Sequence, residues 1–475
     1  MNAITSTDSS APGKEMLLAY ALIAISSILL GIWALKHTIA LRNILLVSGA
    51  VISIFYLWLQ WKLGQLKEIL FSQNALPLVL LMAMFVWVLL HYVFFSRYPA
   101  EELNELTSTW LRSALAVFLA IGTAMALSKK PAGMIYLWAG ILLSFAFLLL
   151  QYIPKALAAH SFFAPEYVGS YIYHVKINGV LVGSVMVAGL TASILLFLRL
   201  NDPVSLGRVA LIWLVAIVVA LYVYVFVFEA RNGIGLTVLT LGFALCWLIL
   251  GMVGRKNSAA LPRKSLLKLM VVFLLVLMLA LGFGKIQASK NSGWQTLFQD
   301  MRIAMRIHDY PNWRDPAVLG YPISASGSVV AANTYERTAW ATAGILMFIP
   351  ENPLGIGVLS RSFPRLLQEK FGKNVDYIPS THSAWVDLTL SYGIPGIGMM
   401  LGPLLLLLYR ALSGRDAVDG FVFVLSASIC ALYTVGELSV QHGVEILVYL
   451  IAFLATVSQL GSQIESNAKL TQLKL

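Results

Sequence analysis

The feature that most constrains this 475-residue chain is a succession of apolar runs, each long enough to cross a hydrocarbon layer and nearly free of charge. A bilayer core about 30 Å thick needs roughly 20 consecutive apolar residues in a helix. Such runs occur near 16–35, 40–59, 76–95, 109–127, 134–152, 177–199, 206–228, 233–254, 266–284, 393–410, 417–436 and 443–461. In hydrocarbon every backbone N–H and C=O must be paired within the protein, which leaves only helices or a closed barrel. The alternating pattern of barrel strands is absent, so the runs predict an all-α integral membrane protein of about twelve transmembrane helices. Composition agrees: 59% of residues are hydrophobic, 12% are charged and the mean hydropathy is +0.81, too little polar surface to coat a soluble protein of this size.

The net charge of +11, from 33 Lys and Arg against 22 Asp and Glu, is tested first against the positive-inside rule rather than against nucleic acid. The polar first 15 residues lead into the first run without a small-residue cleavage site, which predicts a retained helix and a cytoplasmic N-terminus. With that orientation the segments around 60–75, 128–133, 199–208, 255–268 and 410–416 and both termini are cytoplasmic and hold 16 Lys and Arg, whereas the short outer loops hold six. Arg255, Lys256, Arg263, Lys264 and Lys268 form the densest anchor, and Lys36 and Arg42 are the exceptions. The positive excess is therefore mostly topological. Cys246 and Cys430 fall inside apolar runs, so neither a disulfide framework nor a thiolate metal site is expected.

No internal repeat divides the chain. Residues 1–284 are expected to hold nine spans, 285–391 a long extracytoplasmic segment and 392–475 three further spans with a tail. The long segment carries ten Lys and Arg and turn residues at Asn312, Pro316, Pro322, Pro350, Pro353 and Gly357. Within it, 297–308 and 362–371 place apolar residues at helical spacing with basic residues between them, the pattern of helices lying at a membrane interface.

The chain has no phosphate-binding GxxxxGK[ST] loop, no GxGxxG between strand and helix, and no His and carboxylate spacing of a zinc site. Three residues on the outer face draw notice instead. Arg231 ends the seventh run in FVFEARNGIG, where it serves either as an interfacial anchor beside Glu229 or as a phosphate clamp suited to the planar guanidinium. Arg337 opens ERTAWATAGILMFIPENPLGIG, and His382 lies in PSTHSAWVDLTLSYGIPGIG just before the tenth run. His382 can exchange a proton with a hydroxyl near neutral pH or cap a helix on the surface, and spacing alone leaves both open. His91, His160, His174, His308 and His442 have no companion motif and are expected to be structural.

Taken together, Arg231 at the end of a mid-chain span, Arg337 and Trp340 ahead of the Pro353–Gly357 turn, and His382 ahead of the Gly393–Gly398 element resemble the O-antigen ligase and polymerase superfamily. Ala230 and Asn232 stand where the family pattern has Ser and Gly, and Arg337 precedes Trp340 by three residues rather than four. The detailed likeness covers about residues 225–400, and twelve spans with a long segment between the ninth and tenth look like the ligase arrangement. The resemblance implies a glycosyltransferase of the GT-C type, without metal or other cofactor. Its donor would be a glycan on undecaprenyl diphosphate in the inner membrane, its acceptor a hydroxyl of lipid A-core on the periplasmic side, with membrane lipid and no nucleic acid as further surroundings. Arg231 and Arg337 would hold the diphosphate, and His382 would activate the acceptor or orient the donor. Arg302, Arg306, Arg314, Trp340 and Trp385 are added as substrate contacts.

Two relatives share these motifs: a polymerase that joins lipid-linked repeats and a protein O-oligosaccharyltransferase. A transporter or lipid flippase would also have about a dozen spans. Transporters carry ionisable residues near mid-span, whereas here the charges gather at one outer face and Glu445, near a span end, is the closest exception.

Overall fold

The computed structural model describes residues 11–466 apart from 65, 68–72, 163–175, 255–262, 291–293, 295, 325–326, 373–376, 415, 439–441 and 462. Residues 1–10, His174, Arg255 and Lys256, and the counted charges Lys373, Arg415, Lys469 and Lys474 lie outside the described residues.

Each of the twelve apolar runs forms a helix. Nine precede the long segment: α1 (Ala11–Ile32), α2 (Ile39–Lys62), α3 (Leu76–Phe94), α4 (Pro99–Lys129), α5 (Gly133–Ala158), α6 (Lys176–Arg199), α7 (Pro203–Val227), α8 (Arg231–Gly254) and α9 (Arg263–Lys290). The segment itself contributes α10 (Leu297–Ala304), α11 (Ala332–Ala343) and α12 (Ser362–Phe371), and α13 (Ala384–Ser413), α14 (Asp419–Val435) and α15 (Gly443–Gln459) follow. Ten of these helices are long and apolar enough to cross a membrane, while α14 and α15 are apolar but shorter, with 17 residues each. This is the fold of a multi-pass membrane protein, and among the described residues it has no β-strand beyond a single bridge between Ile323 and Val329.

The apolar window of α6 is 100% buried, whereas that of α9 is 17% buried, so α6 lies at the centre of the bundle and α9 at its edge. In lipid, helices associate through close packing of small residues. Thus α1 and α5 touch backbone to backbone, and a Cβ on Gly140 would lie 1.9 Å from the Ser27 carbonyl oxygen. The two ends of the bundle differ chemically. One end carries Lys129 paired with Glu15, Gln60 bonded to Glu15 at 2.7 Å, and Arg410 bonded to the Asn74 carbonyl. The other carries the long segment and the pairs His91–Glu102, Arg112–Glu445 and His382–Glu437.

Three sequence expectations change in detail. The outer loop expected at 92–108 is largely helix, because α4 starts at Pro99 and passes through a π turn at Leu106–Trp110. Its three glutamates lower the hydropathy, yet Glu102 and Glu105 are buried against partners from elsewhere in the chain. Helix α13 begins nine residues before the expected tenth span, since Gly393 is a kink and not a start. Finally, the amphipathic stretches 297–308 and 362–371 do form helices, but their apolar faces turn into protein. Ile303, Ile307, Phe363, Leu366 and Leu367 join Trp313, Tyr335, Trp340 and Phe348 in a second core that rests on Val386 and Leu390 of α13.

Arg42, an exception to the charge rule, is 4% exposed and donates from Nη1 to the Trp33 carbonyl at 2.8 Å, so it ties the end of α1 to the start of α2.

Candidate functional site

The Ser/Thr-rich turn before α13 is built by its own side chains. Asp387, in the first turn of α13, reaches back to accept from the Thr381 backbone N–H at 2.9 Å and the Thr381 hydroxyl at 2.7 Å. Ser380 Oγ accepts from the His382 N–H at 3.1 Å. Between them His382 is held at φ +60°, a left-handed conformation costing an L-residue roughly 1–2 kcal/mol. Strain of this kind persists where surroundings over-determine it, often at functional sites. The Ala384 N–H donates to the Gly436 carbonyl at 2.8 Å, which brings the connection between α14 and α15 against this turn. His382 Nδ1 consequently pairs with Glu437, a carboxylate from that connection that is 6% exposed. The indole of Trp340 stacks on the imidazole, 5.4 Å between centroids and 21° between planes, and fixes the ring orientation.

Arg231 is placed by the end of α7. The last turn there is a π turn over Val223–Val227, Glu229 follows at φ +49°, and the Ala230 N–H donates to the Tyr224 carbonyl at 2.8 Å. The Gln287 amide oxygen of α9 accepts from the backbone N–H groups of Ala230 and Arg231 at 3.3 and 3.2 Å. Arg231 thus occupies the first turn of α8, where the helix dipole also favours anions. Its guanidinium donates to the Thr334 hydroxyl of α11 at 3.3 Å.

One turn farther along α11, Arg337 donates to Asn333 at 2.7 Å and lies 3.7 Å from Glu437. Burial holds its pKa below the ordinary arginine value, Glu437 opposes that shift, and the neighbouring Arg231 adds to it. Arginine nevertheless stays cationic at neutral pH. Arg231, Arg337 and Lys176, the first residue of α6, line one cavity of about 600 Å³ together with the carboxylate Glu229 and mostly apolar walls that include Ile177, Val180, Leu297, Met301 and Val435.

The two glycine-rich motifs meet next to this site. Gly393 interrupts α13 at φ +70°, which frees the carbonyls of Leu390 and Ser391 to accept from Ile356 at 3.1 Å and Gly357 at 2.8 Å. A Cβ on Gly355 would lie 2.4 Å from the Ser391 carbonyl oxygen. Only glycine permits this backbone contact. The Pro353–Gly357 turn therefore fixes the kink from which the His382 end of α13 projects.

The structure brings Arg231, Arg337 and His382 into one neighbourhood. Arg302, Arg306 and Arg314 are not among the residues that line the cavity: Arg302 is exposed, Arg306 pairs with Asp309 at 2.6 Å, and Arg314 lies 4.6 Å over the Phe371 ring. Trp340 and Trp385, assigned above to substrate, are buried and donate their indole N–H groups to the carbonyls of Trp313 and Cys430. They pack the protein and, for Trp340, position His382.

Sequence reasoning missed two residues. Glu437 stood in a short loop with no motif, and Lys176 looked like a loop charge. The only available signal was that both sit at span ends on the outer face. His91, by contrast, is structural as expected, bonded to Glu102 at 3.0 Å and to the Leu354 carbonyl at 3.1 Å. Among the described residues no group of three or more His, Cys, Asp or Glu side chains is arranged to hold a metal ion. No family model and no curated protein matches the chain.

Proposed function

We propose that this protein is a periplasm-facing, inner-membrane glycosyltransferase of the O-antigen ligase kind. It would take a polysaccharide from undecaprenyl diphosphate and join it to a hydroxyl of lipid A-core. The observation that carries the reading is the convergence of Lys176, Arg231 and Arg337, from three separate helices, on one largely apolar cavity adjoining the His382–Glu437 pair.

The chemistry follows from charge. A lipid diphosphate is an activated leaving group, so the reaction needs stabilisation of charge that grows on the departing diphosphate. Preorganised cations in a water-poor site provide that. Three cations against Glu229 leave the cavity net positive, and the apolar walls suit the adjoining isoprenoid. The acceptor hydroxyl attacks the anomeric carbon, the bond to the diphosphate oxygen breaks, and the hydroxyl proton passes to a base. With Nδ1 engaged by Glu437, Nε2 of His382 is the ring nitrogen left to take it, an arrangement like the carboxylate-oriented histidine of acyl transferases.

The order of helices supports this reading as well: among the described residues nine apolar helices precede the long segment and three follow it. His382→Ala and Arg231→Ala are expected to leave protein level unchanged and to abolish transfer from purified lipid-linked donor in proteoliposomes. Near-wild-type transfer by both would overturn the proposal. Offering lipid A-core and a second lipid-linked repeat in separate arms distinguishes ligase from polymerase.

A further inference from the structure

A second cavity, of about 300 Å³, opens on the same end of the bundle and has a different character. Its walls come from the start of α2 (Arg42, Asn43), the top of α4 (Glu105, Thr109, Arg112), the turn before α12 (Leu359, Ser360) and the connection into α15 (Leu438, His442, Glu445). Eight of its twelve described lining residues are polar, in contrast with the mainly apolar first cavity.

The charges in this second cavity cancel. Arg112 Nε donates to Glu445 at 2.8 Å, and His442 Nδ1 lies 3.2 Å from the same carboxylate. Glu105 accepts from the backbone N–H groups of Leu359 and Ser360 at 2.7 and 2.8 Å and from the Ser360 hydroxyl at 2.7 Å. Two arginines therefore face two carboxylates, and little net charge remains to hold a phosphate. What remains is a close mixture of donors and acceptors.

Two polar atoms in these walls are unspent. His442 is 8% exposed and its Nε2 has no hydrogen-bond partner among the described residues; Arg42 is 4% exposed and its Nε likewise has none. Leaving buried polar atoms unpaired is costly, and each instance calls for an explanation. His442 is also held at φ +66°, the same uncommon conformation as His382. Such strain collects at ligand-binding positions.

We propose that this cavity binds the sugar hydroxyls of a lipid-anchored saccharide. A hydroxyl donates and accepts at once, so a vicinal pair can satisfy Arg42 and His442 on one side and the carboxylates on the other, which an anion cannot do. A volume of about 300 Å³ is at the small end of ordinary ligand sites and suits one or two sugar rings. The anchor is lipid because Ile39, itself exposed, lines the cavity, and Leu41, Ile44 and Val47 continue from it down α2 as an exposed apolar stripe. On the transfer reading given above, on which this role rests, the saccharide belongs to the acceptor. Val435 lines the first cavity and Leu438 the second, and three residues of chain span at most about 11 Å. Glu437 lies between them, so an acceptor sugar held here reaches the His382–Glu437 pair.

The test uses the full chain in nanodiscs, with lipid A-core and lipid A lacking core sugars as probes. His442→Asn keeps a residue that tolerates the left-handed conformation and removes Nε2, and Asn43→Trp fills the cavity from its exposed rim. Both are expected to weaken lipid A-core binding at least about tenfold, with lipid A binding and affinity for the lipid-linked donor unchanged. Equal wild-type affinity for the two probes, unaltered binding by both variants, or displacement of lipid A-core by inorganic phosphate overturns the proposal. If the sugar-dependent binding holds while His382→Ala transfers normally, the saccharide site stands and the transfer reading fails. If transfer depends on His382 but wild-type binding ignores the core sugars, the reverse is true.

Discussion

Glu437→Gln probes the link between the imidazole and the cation cavity. The carboxylate is 6% exposed and shared by His382 Nδ1 and, at 3.7 Å, Arg337. A hydrogen bond to a charged partner contributes about 1.5–3 kcal/mol and a neutral one about 0.5–1.5 kcal/mol, so the amide retains part of the His382 interaction and loses about 1–2 kcal/mol. The Arg337 contact is longer and partly exposed, and its loss adds up to about 1 kcal/mol. A total of about 1–3 kcal/mol in the transition state, at 1.36 kcal/mol per decade, is a fall of roughly 5- to 160-fold in the transfer rate. The assay is the initial rate of glycan transfer in proteoliposomes, with thermal unfolding in detergent to confirm an intact fold. Glu369→Gln is the control, because Glu369 sits in an exposed pair with Arg97, accepts from Tyr98 and is not among the lining residues of either cavity. A Glu437→Gln rate within about twofold of wild type, in folded protein, would falsify the assignment of Glu437 as the group that orients His382.

Other expectations are as direct. Lys176→Ala should weaken donor binding in a salt-sensitive way, whereas Arg302→Ala should leave both donor affinity and transfer unchanged, since Lys176 lines the cavity and Arg302 does not; equilibrium binding of lipid-linked donor at low and high salt separates the two. Gly355→Ala forces a Cβ to 2.4 Å from a backbone oxygen at φ +85°, so thermal unfolding should show a loss of at least about 2 kcal/mol even though no catalytic group is touched. Burial, with the hydrogen bond to Asp315, pushes the Tyr377 phenol from its ordinary 10.0 up to about 12. A folded pKa above the unfolded one stabilises fully below pH 10 and is lost as pH rises from 10 towards 12. Stability should therefore be level up to about pH 10 and then fall, with Tyr377→Phe falling less steeply; tyrosinate absorbance during alkaline unfolding measures this.

The helices were legible because their cause is local and repetitive: lipid demands about 20 apolar residues with internal hydrogen bonds, and that demand is written in every window of sequence. Boundaries failed where polarity and membrane depth part company. Glu102 and Glu105 on α4, and Asp387 and Ser391 on α13, lower hydropathy but are buried in protein: Glu102 pairs with His91 of α3, Glu105 meets Leu359 254 residues away, and Asp387 and Ser391 bond within a few residues of themselves. The amphipathic helices α10 and α12 show the same limit, since periodicity reveals an apolar face but not whether lipid or protein covers it.

At the candidate site, sequence by itself singled out Arg231, Arg337 and His382 by residue type, position at span ends and resemblance of motif order. It also determined the membrane fold, because the hydrophobic requirement acts on contiguous residues. Only the tertiary structure decided which charges share a space. Lys176, Arg231, Arg337 and Glu437 come from four elements spread over more than half the chain, and their coupling depends on helix packing, on the π turn that aims Arg231 and on the Gly393 kink that aims α13. The same packing sent Arg302, Arg306 and Arg314 away from the cavity and turned Trp340 from a substrate contact into the plate against which His382 is held. Electrostatic interaction falls off with distance in space, whatever the separation along the chain. That is why span ends could be read from the sequence, while the grouping of their charges had to come from the fold.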